Sequence, residues 1–160
     1  MTKEEFTKNV LEAEKSMYCT AKAFLHNDSD CADAVQTAII TAFQKLHTLK
    51  SPEYFRTWLI RILINECKSI LRKRKYTESI EDIAAPGQHF EDESGHEVYE
   101  AVNALDEKYR IVFVLFYCEG FSAEEISGML KISLSAVKTR LFRARNILRE
   151  KLKGDFYEEN

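Results

Sequence analysis

The stretch FSAEEISGMLKISLSAVKTRLFRARNILREKL, from Phe121 to Leu152, holds the residues of this chain best suited to chemistry on nucleic acid. Val137, Leu141, Ala144, Leu148 and Leu152 recur at helical steps and form one stripe that must be buried. Ser135, Lys138, Thr139, Phe142 and Arg143 then project away from it. Lys138 and Arg143 can donate to guanine edges or to phosphates, and Ser135 and Thr139 can bond base edges or backbone. Phe142 can cover a thymine methyl or a sugar. Arg140, Arg145 and Arg149 are placed to touch phosphates. Ahead of this helix, Ser122-Ala-Glu-Glu125 has the spacing of a capping box and opens a shorter helix with Ile126, Met129 and Leu130 apolar. Lys131-Ile132-Ser133 is long enough only for a tight turn, after which Ser133 can cap the longer helix. A short helix, a tight turn and a longer basic helix make a helix-turn-helix, whose second helix enters a major groove N-terminal end first. The alternative is a helical hairpin with a charged outer face.

A second set lies earlier. Arg61, Asn65, Lys68 and Arg72 recur at helical steps and line one polar face with three cations, one amide and no acid. Ordinary surface helices mix signs, so this face points to phosphate or base contact. A merely solvated face is the competing reading.

The elements that must position these groups are helical. Only 5 Gly and 2 Pro occur in 160 residues, which argues against a turn-rich sandwich or barrel and for an all-α chain. Thr2-Lys-Glu-Glu5 is a capping box, and Phe6, Val10, Ala13, Met17, Ala21 and Phe24 give one buried stripe behind it. Residues 26–30 read as a turn, with Asp30 able to cap a second helix whose Val35, Ala38, Ile39, Ala42 and Leu46 face inward. Ser51-Pro52 opens a third helix running to about Lys75, with Phe55, Leu59, Ile62, Leu63, Cys67, Ile70 and Leu71 as its core stripe. Residues 97–105 form a short helix. Asp106 can cap the next one, which runs through the apolar segment 111–118 to Gly120. The expected architecture is two small helical domains, residues 1–76 and 97–160, joined by a flexible acidic linker over 77–96.

Net charge is −3, which taken whole argues against a nucleic-acid binder, but the charge is segregated. Residues 68–75, KSILRKRK, hold five basic and no acidic side chains; residues 77–100 hold eight acids and no Lys or Arg; residues 131–153 hold eight basic side chains against Glu150. Two basic blocks can each meet phosphate while the acidic stretch avoids it. No apolar run reaches membrane-spanning length, and the N-terminus is charged from its third residue, so no signal peptide is expected. Cys19, Cys31, Cys67 and Cys118 form no CxxC or CxxH pair and read as buried, reduced thiols of a cytoplasmic protein. His26, His47, His89 and His96 have no metal-ligand spacing, and no phosphate-binding Gly-x4-Gly-Lys loop is present. Neither an enzyme nor a metal or cofactor site is expected.

Both halves carry motifs of a known family. Asp33-Ala-Val35-Gln36, Phe55-Arg-Thr-Trp58-Leu59-Ile-Arg61-Ile62 and Arg72-Lys-Arg-Lys75 stand in the first half. Gly120-Phe-Ser122-Ala-Glu-Glu125-Ile126 and Val137-Lys138-Thr-Arg140-Leu141-Phe-Arg143-Ala144-Arg145 stand in the second. In this the chain resembles the extracytoplasmic-function (ECF, group 4) sigma factors of bacterial RNA polymerase, with region 2 in the first half and region 4 in the second. It departs from their pattern at Thr37, usually Glu, at Ile39, often Phe, and at Lys131, often Gly.

The resemblance implies roles. Asp33, Gln36, Gln44 and Lys45 would dock on the β′ coiled coil of core RNA polymerase, and region 4 would sit near the β flap. The loop 47–54 would capture a flipped base of the −10 element, with Arg61, Asn65, Lys68 and Arg72 on the melted strand. Residues 135–143 would read the −35 element as duplex, and the linker would thread toward the RNA exit path. Promoter DNA and an anti-sigma factor, commonly membrane-anchored, would be the further partners. Trp58, beside Leu59, fits a core role better than direct stacking on DNA. The competing function is a stand-alone helix-turn-helix regulator whose N-terminal helices dimerise or sense a ligand. A dimeriser needs an apolar exposed face on the third helix, and the Arg61–Arg72 stripe is polar and cationic.

Overall fold

The structure, a computed structural model, describes residues 1–77 and 96–156, and within them every regular element is helical. Seven α-helices follow in order: α1 (Lys3–Leu25), α2 (Asp28–Gln44), α3 (Phe55–Thr77), α4 (His96–Asn103), α5 (Glu107–Phe113), α6 (Ala123–Leu130) and α7 (Leu134–Phe156). Short 3₁₀ turns at Leu46–Thr48 and Pro52–Tyr54 lead from α2 into α3. The helices fall into two compact units, α1–α3 and α4–α7. Thr77 still belongs to α3 and His96 opens α4; the linker expected between them lies outside the described residues.

In the first unit, α1 starts where its sequence says it should. The Thr2 hydroxyl accepts from the Glu5 amide at 3.1 Å, and the Glu5 carboxylate accepts from the Thr2 amide at 2.9 Å. Phe6, Val10, Ala13, Met17, Ala21 and Phe24 are all buried. The Phe6 ring meets Phe43 and Phe55 edge-on, with centroids 5.4 and 5.8 Å apart. Helix α3 packs against both α1 and α2, so its buried arc is wider than one stripe. Ile60 and Ile64 are fully buried beside Leu59, Leu63 and Cys67, whereas Ile62, Ile70 and Leu71 are only half-buried.

One cap moves. Asn27, not Asp30, caps α2: its side chain accepts the Asp30 amide at 3.2 Å. His26 turns the chain with a left-handed backbone (φ 58°), so helical geometry begins at Asp28. Asp30 therefore sits inside the first turn, and its carboxylate pairs with Arg74 arriving from α3.

In the second unit, Asp106 occupies the position before α5, but its side chain makes no capping bond. The apolar run expected as one α-helix changes winding instead: Val114–Cys118 forms a π-helical turn before Gly120 closes the segment with φ +75°. The extra residue in that turn rotates Tyr117 and Cys118 to the surface. Cys118 is thus exposed and Cys19 half-buried, against the expectation of four buried thiols; Cys31 and Cys67 are buried. The Arg110 guanidinium, 4% exposed, lies under the α4–α5 junction and donates to the Leu105 carbonyl at 2.8 Å. Burial holds its pKa below the usual arginine value.

Replacing Asn27 by Ala should cost about 1 kcal/mol in urea unfolding, and an unchanged midpoint would contradict the cap. Burial pushes the Cys31 thiol up to about 11 and the Cys67 thiol up to about 12. Burial, with Glu119 beside it, raises the Cys118 thiol as well, but Cys118 is exposed, so thiol titration of the native protein at pH 8 should show it reacting before Cys31 and Cys67, which stay protected until unfolding. Rapid modification of Cys67 in the folded state would contradict that packing.

Candidate nucleic-acid interface

The helix-turn-helix is fixed by local hydrogen bonds. At the start of α6, the Glu125 amide donates to the Ser122 hydroxyl and the Ser122 amide to the Glu125 carboxylate, each at 3.0 Å. The turn reverses through Lys131, whose backbone is left-handed (φ 57°). Across it, the Ser127 hydroxyl donates to the Ile132 carbonyl at 2.6 Å, and the Ile132 amide donates to the Ser127 carbonyl at 3.2 Å. The Ser133 hydroxyl then accepts the Ala136 amide at 3.0 Å and starts α7, as its position in the sequence suggested.

Packing sets the rotation of α7. Val137, Leu141, Ala144 and Leu148 are buried, and Leu152 is half-buried. Helix α7 lies against α4, α5 and α6. The opposite side carries Ser135, Lys138, Thr139, Phe142 and Arg143, all exposed, with Phe142 at 58%. Arg149 is exposed and Arg140 half-buried. Arg145 is also half-buried and donates to the Tyr117 hydroxyl at 2.9 Å, a bond created by the π turn. The Tyr117 ring in turn rests on Phe113 and Phe116, at 4.7 and 4.9 Å. Among the described residues, no carboxylate pairs with Lys138, Arg140, Arg143 or Arg149. Such cations repel one another in the free protein and are compensated by counterions, which phosphate contact releases.

In the first unit, burial of Leu59, Leu63 and Cys67 turns Arg61, Asn65 and Arg72 outward, all exposed, with Lys68 half-buried between them. Arg61 and Arg72 have no carboxylate partner among the described residues. Within the basic run, Arg74 is taken up by Asp30, an assignment that sequence spacing could not give.

The loop before α3 is braced from below. The Trp58 indole N–H donates to the Thr48 hydroxyl at 3.3 Å, and that hydroxyl donates to the Lys45 carbonyl at 2.7 Å. Trp58 also packs on Phe55, with centroids 5.7 Å apart, and is half-buried. It thus props the loop from the core side, while Tyr54 and His47 are exposed along it.

On α2, Asp33, Gln36, Gln44 and Lys45 are all exposed. Sequence reasoning missed two apolar neighbours on this helix: Ile40, 59% exposed, and Phe43, 46% exposed. The signal was present, because both fall off the buried Val35–Ala38–Ala42 stripe.

Comparison with known proteins agrees with this arrangement unit by unit. The family described as Sigma-70 region 2 matches residues 13–77, and Sigma-70, region 4, matches residues 95–148. RNA polymerase sigma factor SigV of Bacillus subtilis (strain 168) is 29% identical, over 95% of this chain and 96% of its own. ECF RNA polymerase sigma factor SigW of the same organism is 31% identical, over 86% of this chain and 83% of its own. Among solved structures, the sigma factor RpoE of Bartonella quintana, crystallised with the anti-sigma factor NepR, aligns with a TM-score of 0.79 at 26% identity. That alignment covers 94% of this chain and 98% of RpoE. With both sigma regions present in order, and relatives matched along nearly their full length, the chain belongs to the ECF sigma factors of bacterial RNA polymerase.

Proposed function

We propose that this protein binds core RNA polymerase and directs promoter-specific initiation, with α7 reading the −35 element as duplex and the outer face of α3 holding the melted −10 strand. The observation that carries this reading is the pair of cationic helix faces, Arg61–Arg72 and Lys138–Arg149, one in each sigma region. Lys138, Arg143, Ser135, Thr139 and Phe142 meet base edges, and Arg140, Arg145 and Arg149 meet phosphates. Arg61, Asn65, Lys68 and Arg72 hold the unpaired strand, and the exposed Tyr54 offers a ring for stacking. Holding that strand offsets the few kcal/mol that unstacking costs. Asp33, Gln36, Gln44 and Lys45 dock on the β′ coiled coil, with Ile40 and Phe43 as apolar contacts beside them. Region 4 sits near the β flap. The two small DNA-binding faces act together once the polymerase fixes their separation. The protein supplies binding and positioning, and the polymerase supplies the chemistry.

RpoE of Bartonella quintana was crystallised with an anti-sigma factor. An anti-sigma partner covering one or both faces of this chain follows by analogy, in the cytoplasm where the polymerase works. A stand-alone helix-turn-helix regulator is not favoured, because both sigma regions are present.

Run-off transcription with core polymerase on a genomic promoter library should give new start sites only when the protein is added; identical start sites with and without it would refute the reading. Lys138→Ala or Arg143→Ala should cost about 1–3 kcal/mol in promoter binding and relax −35 preference, with footprinting on mutant promoters as the check. The Arg61/Asn65/Lys68 triple alanine should still bind core polymerase yet fail to open DNA. Permanganate reactivity equal to wild type in that variant would contradict the role of α3.

A further inference from the structure

Lys131 stands where the backbone favours glycine. Its φ of 57° and ψ of 44° lie in the left-handed region, which a residue with a Cβ adopts at a cost. The conformation is imposed from both sides: the Lys131 amide and the Ile132 amide both donate to the Ser127 carbonyl, and the Ser127 hydroxyl donates to the Ile132 carbonyl. Nothing in the packing asks for a lysine. The side chain is exposed, and no carboxylate or hydrogen-bond partner holds it among the described residues. A strained position that keeps a charged side chain without a structural contact points to use of that charge.

The place of the residue says what use. Lys131 lies two residues before Ser133, the cap of α7, and four before Ser135, the first exposed residue of the reading face. A lysine side chain in this turn is long enough to reach the sugar-phosphate backbone flanking the groove that the N-terminal end of α7 is proposed to enter. A lysine ammonium is a point charge suited to that role.

We infer that Lys131 is a phosphate-contacting residue of this chain, clamping the DNA backbone at the edge of the groove that α7 reads. The inference rests on the proposed −35 reading by α7. It makes Lys131 an affinity determinant without sequence preference, since phosphates carry no base information.

The test uses holoenzyme reconstituted from core polymerase and the full chain, bound to promoter duplex across a salt series. Two variants separate charge from backbone. Lys131→Gln removes the charge and keeps the strain; Lys131→Gly removes both and should melt at or above the wild-type temperature. Both should weaken binding equally on every −35 sequence and lower the salt slope by about 0.9, so that the deficit shrinks about three- to fourfold between 50 and 200 mM salt. Lys131→Arg should retain wild-type affinity. Lys138→Ala is the control for the parent reading. If Lys138→Ala loses affinity while Lys131→Gln keeps wild-type affinity and slope, the inference falls and the reading of α7 stands. If neither variant changes binding, the reading of α7 falls with it.

Discussion

An apolar stripe on a long helix must be buried, and burying it decides where the opposite face points. That constraint governs both halves of this protein. In α3, Leu59, Leu63 and Cys67 are sealed against α1 and α2, so Arg61, Asn65 and Arg72 have only solvent to face. In α7, Val137, Leu141, Ala144 and Leu148 are sealed within the second unit, and Ser135, Lys138, Thr139, Phe142 and Arg143 take the other side. Each buried Leu or Val contributes roughly 1.5–3 kcal/mol. The mutual repulsion of exposed cations in water is smaller at these separations. Packing therefore wins, and cations that would otherwise spread apart are held on one face, ready for a polyanion.

Rotation alone does not aim a helix; its end must be fixed too. In the second unit this falls to hydroxyl groups. Ser122, Ser127 and Ser133 each hold one backbone group of the helix-turn-helix within 2.6–3.0 Å. In the first unit the corresponding work is done by Trp58 through Thr48, which ties the loop ahead of α3 to Lys45, the residue that caps the end of α2. A braced loop with an exposed Tyr54 has less entropy to lose on meeting a ligand, including the base proposed for it, than a free one would.

Much of this was legible in the sequence, because its signals are local. Both capping boxes, the α1 and α7 stripes, the Ser133 cap and the turn at Gly120 depend on residues within four positions of one another. What was not legible depends on distant partners or on a change of winding. Asn27 and Asp30 are both good caps, and Arg74, 44 residues beyond Asp30, claims the latter's carboxylate. The unbroken apolar run from Ile111 to Cys118 hides any period, so the π turn left no trace in spacing. The exposure of Cys118 and the Tyr117–Arg145 bond both follow from that turn. Buried Arg110 was missed for the same reason: one cation beside an apolar run gives no sign that a carbonyl waits beneath it.

In the function proposed here, two separate cationic faces act on one promoter, with core polymerase setting the distance between them. The most direct measurement is the affinity of reconstituted holoenzyme, and of the free protein, on promoters whose two recognised elements are moved apart one base pair at a time. Holoenzyme should show a single sharp optimum, and the free protein should bind weakly at every spacing. Tight, sequence-specific binding by the free protein, or holoenzyme affinity indifferent to spacing, would contradict it.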